Sequence, residues 1–147
     1  MYSKVLIATD GSDLSRRAAE HGIAIAKCLG ATVVAVFVVD TRALPATHPV
    51  VPESVAPYYF SLLDELRKAG EAAVQEVVAE GAKHGVSVKH EVIDGTPASG
   101  IIDAGKKHEV DLIVMGTHGR SGFAAMLLGS TAQGVVHRAE TPVLVVR

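Results

Sequence analysis

Five short runs rich in valine and isoleucine recur along the chain, and segments with helical periodicity separate them. The runs cover residues 4–9, 32–39, 86–93, 111–115 and 142–146. Strict alternation of strands and helices is typical of βαβ units, in which each right-handed crossover returns to a parallel strand. The pattern therefore predicts an α/β fold with one open parallel sheet of five strands and helices on both faces.

The segment after the first run carries start and stop signals for a helix. Ser12 suits the N-cap position, and Gly30 suits the end of the helix. Cys28 is predicted to lie in the core. The apolar face predicted for this helix comprises Leu14, Ala18, Gly22, Ile25 and Leu29.

Three further helices are predicted between the later runs. The longest covers residues 57–83 and ends before Gly85, the next begins after Thr96 with Pro97 at its first position, and the last covers residues 130–138. The residues of the longest helix predicted to face inward are Leu63, Leu66, Gly70, Val74, Val77 and Gly81.

The polarity of the runs predicts the order of the strands. The run at 32–39 is apolar on both faces and belongs inside the sheet, whereas the run at 86–93 alternates with polar residues, as an edge strand does. The simplest order is 3-2-1-4-5, with the topological switch between the first and fourth strands. Ligands of open α/β sheets bind beside that switch, at the carboxyl ends of the strands. Here those ends comprise Ala8, Thr9 and Asp10 on one strand and Met115 and Gly116 on the other.

Composition and charge exclude several classes of function. The 147 residues fit one domain over residues 1–147, and a net charge of −2 lacks the positive excess of a nucleic-acid or anionic-membrane binder. A single cysteine excludes an internal disulfide framework and favours a reducing compartment. We find neither a signal-peptide core nor an apolar stretch of about eighteen residues. A soluble cytoplasmic protein without membrane insertion or a nucleic-acid partner is therefore expected.

The longest connection without a periodic pattern spans residues 41–56. It contains Pro45, Pro49 and Pro52. Long loops are often functional, so two interpretations stay open, an irregular surface crossover and a lid or partner-contact loop.

A glycine pattern of the form G-x-x-G-x9-G-S/T follows the fourth run. Its members are Gly116, Gly119, Gly129 and Ser130. The loop leaves the fourth strand at the switch point and ends at a helix N-terminus, where free amides and the positive end of the helix dipole favour an anion. His118 and Arg120 in this loop could neutralise phosphate charge, although such loop residues are more often simply solvated.

A second helix N-terminus competes for the same anion. The first helix opens beside Asp10 and Asp13, which repel phosphate, whereas the first turn of the last helix has no acid. Phosphates are therefore expected at Gly129 and Ser130, with Asp10 accepting hydrogen bonds from ribose hydroxyls. Two alternatives stay open: a glycine-rich turn without a ligand, and Asp10 as a local cap before Ser12.

With these motifs the chain resembles the universal stress protein family, in its UspA-like, ATP-binding subgroup. The resemblance covers nearly the whole chain through the segments KVLIATDGS, VDLIVMGTHGRSG, LLGST and VVHRAETPVLVVR. It implies the same 3-2-1-4-5 sheet, with ATP held at its carboxyl edge and Mg²⁺ or Mn²⁺ held through the phosphates. AMP or ADP stays possible, because the chain departs from the family at the variable position Ala8 and at Gly134.

The resemblance also implies a role for individual residues. Ribose contacts fall to Asp10 and Gly116, and adenine contacts lie near Ala8, Val38 and Met115. Phosphate contacts are implied for Gly119, Gly129, Ser130 and Thr131.

The sequence offers no clear catalytic machinery. No lysine follows the glycine loop as in a Walker motif, the dinucleotide motif G-x-G-x-x-G is missing, and the seven histidines show no H-x-x-x-H spacing. The leading hypothesis is therefore a nucleotide-responsive sensor or regulator in the stress response and not an efficient enzyme. A slow Mg-dependent ATP hydrolase or phosphotransferase stays open, as does a nucleotide-independent interaction protein. The sequence names no regulatory protein partner.

The last run predicts how two chains assemble. It is apolar on both faces and lies at a sheet edge in the predicted order, where an uncovered strand is an aggregation hazard. A symmetric homodimer joined antiparallel between Pro142 and Arg147 is therefore expected, as the family resemblance also implies. The alternative is a monomer with a short edge strand.

Overall fold

The computed structural model describes residues 1–44, 53–118 and 128–147, and these ranges contain five strands and four α-helices. The strands are β1 Lys4–Ala8, β2 Thr32–Asp40, β3 Val88–Gly95, β4 Leu112–Gly116 and β5 Val143–Val146. The helices are α1 Asp13–Leu29, α2 Ala56–Lys83, α3 Pro97–Lys107 and α4 Ser130–Arg138, and a 3₁₀ turn at Thr41–Ala43 follows β2.

All strands pair in parallel, and the order β3-β2-β1-β4-β5 confirms the predicted topology. In register, Ala8 lies opposite Val36 and Ile7 lies opposite Val114. Strands β1 and β4 are buried almost throughout, whereas β3 at one edge is half-buried or exposed. The contrast agrees with the edge position predicted from its alternating pattern.

Two apolar layers enclose the sheet, one on each face. Val5 and Ile7 of β1 pack with the inner sides of α1 and α2, whereas Leu6 packs with those of α3 and α4. Successive side chains of a strand point to opposite faces, so one short strand contributes to both layers. Helices therefore cover both faces of the sheet, as predicted.

Helix α1 has the predicted ends and part of the predicted face, since Ala18 and Gly22 are buried and Ile25 packs against the core. The Ser12 side chain accepts a hydrogen bond from Ser15 N at 3.2 Å, and Gly30 closes the helix in the left-handed conformation with φ +66°. Cys28 is exposed and Leu29 is 48% exposed, so placing them toward the core was wrong. The residues that α1 buries are Ser15, Ala18, Ala19, Gly22, Ile23 and Ala26.

The reason is the small size of the inner residues. Ala19 and Ala26 let α1 lie close to the sheet, so the contact follows the alanines and not the larger leucines. The last turn leads directly into β2, and Cys28 and Leu29 in that turn are in contact with solvent.

Helix α2 is the longest element, with 28 residues. Its buried side includes Leu63, Gly70, Val74, Val77 and Gly81, as predicted, whereas Leu66 is half-buried. None of the helices in the described ranges is long and apolar enough to cross a membrane. Residues 45–52 of the preceding connection lie outside the described residues, and so does the expectation of a lid there.

Gly81→Ala is expected to destabilise the fold by about 1–3 kcal/mol, the usual cost of overpacking. An added Cβ would come within 2.9 Å of the Val86 carbonyl oxygen and would also overlap the Val88 side chain. A backbone carbonyl cannot move aside without shifting the start of β3. Chemical denaturation followed by circular dichroism measures the loss.

Gly105→Ala is the matched control, since Gly105 is also buried inside a helix. An added Cβ there would make only an ordinary contact, 3.4 Å from Val110 Cγ2. Alanine is the better helix former by up to about 1 kcal/mol, so stability should be unchanged or raised. Equal losses in the two variants would contradict the packing argument.

Candidate functional site

The neighbouring strands β1 and β4 separate at their carboxyl ends. The paired register of β1 and β4 extends as far as Ile7 and Val114. Beyond it, Thr9 N donates a hydrogen bond to Val36 O of β2 at 3.0 Å, and Thr117 N donates to Val146 O of β5 at 2.9 Å. Each central strand thus continues along its outer neighbour, and a cleft opens between the two.

A cavity of about 490 Å³ occupies this cleft. Its volume lies in the range of small-molecule binding sites. Ten of the twelve predicted site residues line it, and Gly119 and Arg120 lie outside the described residues. The ten are Ala8, Thr9, Asp10, Val38, Met115, Gly116, His118, Gly129, Ser130 and Thr131.

Asp10 shapes the turn that follows β1. Its Oδ1 accepts a hydrogen bond from Ser12 N at 3.0 Å, and Gly11 between them adopts φ +78°, a conformation that favours glycine. The same side chain lines the cavity. The sequence left two interpretations of Asp10 open, a local cap before Ser12 and a contact to a ligand. The two are compatible, because one side chain closes the turn and belongs to a residue that lines the cavity.

Two buried hydroxyl groups hold this turn against α1. Ser15 Oγ donates to Ser12 O at 2.8 Å, so the 3.2 Å contact between Ser15 Oγ and Thr9 Oγ1 has the threonine as donor. Thr9 Oγ1 also accepts from Gly11 N at 3.2 Å. Buried hydroxyls with several partners fix the backbone that carries Asp10.

The N-terminus of α4 forms the opposite wall of the cavity. Its N-cap Gly129 provides no side-chain hydrogen bond, and its first turn contains no acidic residue. The first helical bond runs from Gln133 N to Gly129 O at 2.9 Å, so the amides of residues 130–132 precede the helical series. This helix end therefore favours an anion, in contrast to α1, which opens with Asp13 and is capped by Ser12.

His118 lies beside this helix end. Its Nδ1 contacts Thr117 Oγ1 at 3.2 Å, and its Cδ2 is 3.8 Å from the position that a Cβ on Gly129 would take. Within residues 1–44, 53–118 and 128–147, its buried Nε2 has no hydrogen-bond partner. An unsatisfied buried nitrogen is uncommon in folded proteins, and here it belongs to a residue that lines the cavity.

Backbone crowding explains two of the glycines in the loop pattern. A Cβ on Gly116 would lie 3.1 Å from the carbonyl carbon of Leu14, and one on Gly129 would lie 3.1 Å from Thr117 O. Both positions thus favour glycine for the fold itself, whether or not a ligand is bound.

The other end of the cavity is apolar and is formed mainly by β2. The lining there comes from Val36, Phe37, Val38, Leu66 and Ile101. Among them only Val38 was predicted, through the family resemblance. The length of the second run, which continues past its neighbour, was the available signal for Val36 and Phe37, whereas Leu66 of α2 and Ile101 of α3 had no such signal.

Asp40 and Arg42 form an ion pair at the lining that the sequence did not predict. Asp40 Oδ1 accepts from Arg42 Nε at 2.8 Å, and Oδ2 accepts from Nη2 at 2.7 Å. The hydrogen bonds from Arg42 lower the pKa of the Asp40 carboxyl against the opposing effect of burial. An acidic residue directly after a strand was the available signal, as it was for Asp10.

In the part of the chain that the structure describes, no group of three or more His, Cys, Asp and Glu side chains could hold a metal ion. The expected Mg²⁺ or Mn²⁺ therefore stays a prediction that depends on phosphate oxygens.

The fold and the cavity define a class: an open parallel α/β protein with a ligand-sized cleft at its topological switch point. The family model described as the universal stress protein family matches residues 1–147, so the chain belongs to that family. A relative from Methanocaldococcus jannaschii, universal stress protein MJ0531, is 39% identical over 147 residues, covering 100% of this chain and 83% of the relative.

Solved structures of the family have the same fold. The universal stress protein UspA from Lactobacillus plantarum aligns with a TM-score of 0.87 and 31% identity, over 99% of this chain and 98% of the other. A universal stress protein solved in complex with cAMP aligns with a TM-score of 0.72 and 28% identity, over 99% and 97%.

Arg42→Gln is expected to raise the pKa of Asp40 toward its ordinary range. Because the folded-state pKa is lowered, the pair stabilises the fold above the unfolded-state aspartate pKa of about 4, and this contribution is lost as pH falls through the lowered pKa. The variant should therefore be less stable than wild type at pH 7 and equally stable once Asp40 is protonated. Carbon-13 NMR titration of the carboxyl and denaturation at both pH values measure these effects.

Arg67→Gln serves as the control, because Arg67 forms a similar pair with Asp94 outside the cavity lining. It should leave the titration of Asp40 unchanged. An unshifted Asp40 titration in the Arg42 variant would contradict the assigned cause.

Proposed function

We propose that this protein binds an adenine nucleotide, ATP in the first instance, in the cleft between β1 and β4. Binding makes it a nucleotide-responsive sensor or regulator in the stress response, acting as a single domain over residues 1–147. The observation that carries the proposal is the N-terminus of α4, which lacks a side-chain cap and an acid and opens on a ligand-sized cavity.

The phosphates would bind at this helix end. Amides of residues 130–132 supply donors, and the helix dipole supplies a positive potential. Ser130 and Thr131 line the cavity and offer hydroxyl groups. His118, whose buried Nε2 has no hydrogen-bond partner among the described residues, lies beside the same helix end, where a phosphate oxygen would supply a partner. Gly119 belongs to this proposal through the glycine pattern alone, and Arg120 through the positive charge that the sequence places in the same loop.

The sugar and base would extend from there toward β2. Asp10 at the end of β1 is a charged acceptor for ribose hydroxyls, beside Gly116. Ala8, Val38 and Met115 contribute apolar surface for the adenine ring, which is a flat group that such a pocket accommodates. The relative solved with cAMP supports an adenine nucleotide as the class of ligand. AMP and ADP fit the same argument, and Mg²⁺ or Mn²⁺ would be held through phosphate oxygens.

Ser130→Glu is expected to weaken ATP binding by roughly tenfold or more, because a carboxylate in the first turn of α4 repels the phosphates. The same charge suits the positive end of a helix, so stability should not fall. Isothermal titration calorimetry measures affinity, and thermal denaturation measures stability.

Gln133→Glu is the matched control, with the same charge change in α4 at a position outside the cavity lining. It should bind ATP nearly as wild type does. If the wild-type protein does not bind ATP, the result contradicts the proposal and favours a nucleotide-independent interaction protein. ADP formed over hours with Mg²⁺ would favour the slow hydrolase.

We also propose a symmetric homodimer joined through the last strand, between Pro142 and Arg147. β5 lies at the edge of the sheet, and in the described part of the chain it pairs with β4 alone. Ile113 N donates to Pro142 O and Thr117 N donates to Val146 O, so alternate residues of β5 bond to β4. The residues between them direct their backbone groups outward, where a second chain can pair with them.

Val145→Pro is expected to convert the dimer to a monomer without unfolding it. Val145 lies between the bonded positions, so proline removes an outward donor and leaves the bonds to β4 in place. Light scattering measures the mass, and circular dichroism checks the fold. A folded variant with the mass of a dimer, or a monomeric wild type, would contradict this assembly.

A further inference from the structure

The Asp40–Arg42 pair lines the ligand cavity as one rigid unit. Asp40 Oδ1 accepts from both Arg42 N at 3.0 Å and Arg42 Nε at 2.8 Å, while Oδ2 accepts from Nη2 at 2.7 Å. Asp40 is also the N-cap of the 3₁₀ turn that follows β2. Three hydrogen bonds within three residues fix the direction of the carboxylate.

The lone pairs of the Asp40 carboxylate determine what this ion pair can still bind. An ionised carboxylate offers about four acceptor sites, two on each oxygen. Arg42 occupies both sites on Oδ1 and one on Oδ2. Among the described residues nothing else donates to Asp40, so Oδ2 keeps one acceptor site for a ligand.

The position of the pair in the sheet indicates which part of a ligand it meets. In the strand order, β2 lies two places from β4, or roughly 10 Å across the sheet. The helix N-terminus proposed for the phosphates follows β4, whereas Asp40 ends β2 beside the apolar lining. A nucleotide with its phosphates at α4 would therefore present its base to Asp40.

Charge excludes the phosphates as the partner of this pair. The guanidinium of Arg42 already faces the carboxylate of Asp40, so the pair carries no net charge and offers a phosphate little attraction. An acceptor oxygen pointing at an anion is unfavourable, whereas an N–H of a base is a suitable donor. The complementary group is therefore an amino group on a heteroaromatic ring.

We propose that Asp40 is a base-recognition residue whose Oδ2 accepts a hydrogen bond from the exocyclic 6-amino group of adenine, while Arg42 holds the carboxylate in place. This assignment rests on the proposed nucleotide function, and it deepens it by naming a group of the ligand that the site distinguishes.

The test compares two ligands that differ in one group. Dissociation constants for ATP and for purine riboside triphosphate, which lacks only the 6-amino group, are measured by calorimetry with wild type and with Asp40→Asn. Wild type should prefer ATP by roughly tenfold or more, the effect of one hydrogen bond to a charged acceptor. In the variant the single remaining oxygen stays directed at Arg42, and the preference should fall to about twofold or less.

A matched control and a second variant make the result specific. Asp94→Asn removes a carboxylate from a similar arginine pair at the end of the neighbouring strand β3, outside the cavity lining, and should keep the preference for ATP. The double variant Asp40→Ala, Arg42→Ala removes both charges together and should lose the preference like Asp40→Asn. If the single variant folds poorly, the ratio of the dissociation constants for the two nucleotides, measured with the double variant, decides whether Asp40 recognises the amino group.

Two outcomes overturn the assignment while the proposed function stands. In the first, wild type binds both nucleotides equally well. In the second, the variants at position 40 keep the full preference of wild type, which means that the amino group is recognised elsewhere. If wild type binds neither nucleotide, both the assignment and the proposed function fail.

Discussion

The hydrogen bonds of the backbone beyond β1 and β4 are the constraint on which the site depends. Buried amides need partners, and past Ile7 and Val114 these two strands no longer supply them to each other. The amides of Thr9 and Thr117 bond outward instead, to β2 and to β5. The cleft is therefore a consequence of how a parallel sheet satisfies its backbone where neighbouring crossovers leave on opposite faces.

Different elements then give the two ends of the cleft opposite character. The end near β4 receives the start of α4, whose amides provide positive potential without a cationic side chain. The end near β2 receives the apolar face of a longer strand and the half-buried Leu66 of α2. A ligand with an anionic end and a flat apolar end matches this gradient, and the gradient also fixes the direction in which it would lie.

The sequence predicted the fold well because its signals were local. Valine-rich runs, the cap at Ser12 and the left-handed glycine at Gly30 each depend on neighbouring residues, and the structure has all of them. The errors at Cys28 and Leu29 arose because the face of a helix depends on the surface it packs against, and alanines approach a sheet more closely. Asp40 and Arg42 were missed for a similar reason, since the relative lengths of paired strands become known only with their register.

The glycine pattern is weaker evidence for a ligand than its location suggests. Backbone crowding favours glycine at Gly116 and Gly129 even in an empty protein, and Asp10 serves the turn that it closes. Features without a role in folding are more informative. A first turn without an acidic residue gives up stability that such a residue would supply, about 0.3–1 kcal/mol. A buried ring nitrogen without a partner among the described residues costs about 1–3 kcal/mol, and both features lie at the same end of one cavity. Folding requires neither of these costs, and an anion bound at this end of the cavity would offset both.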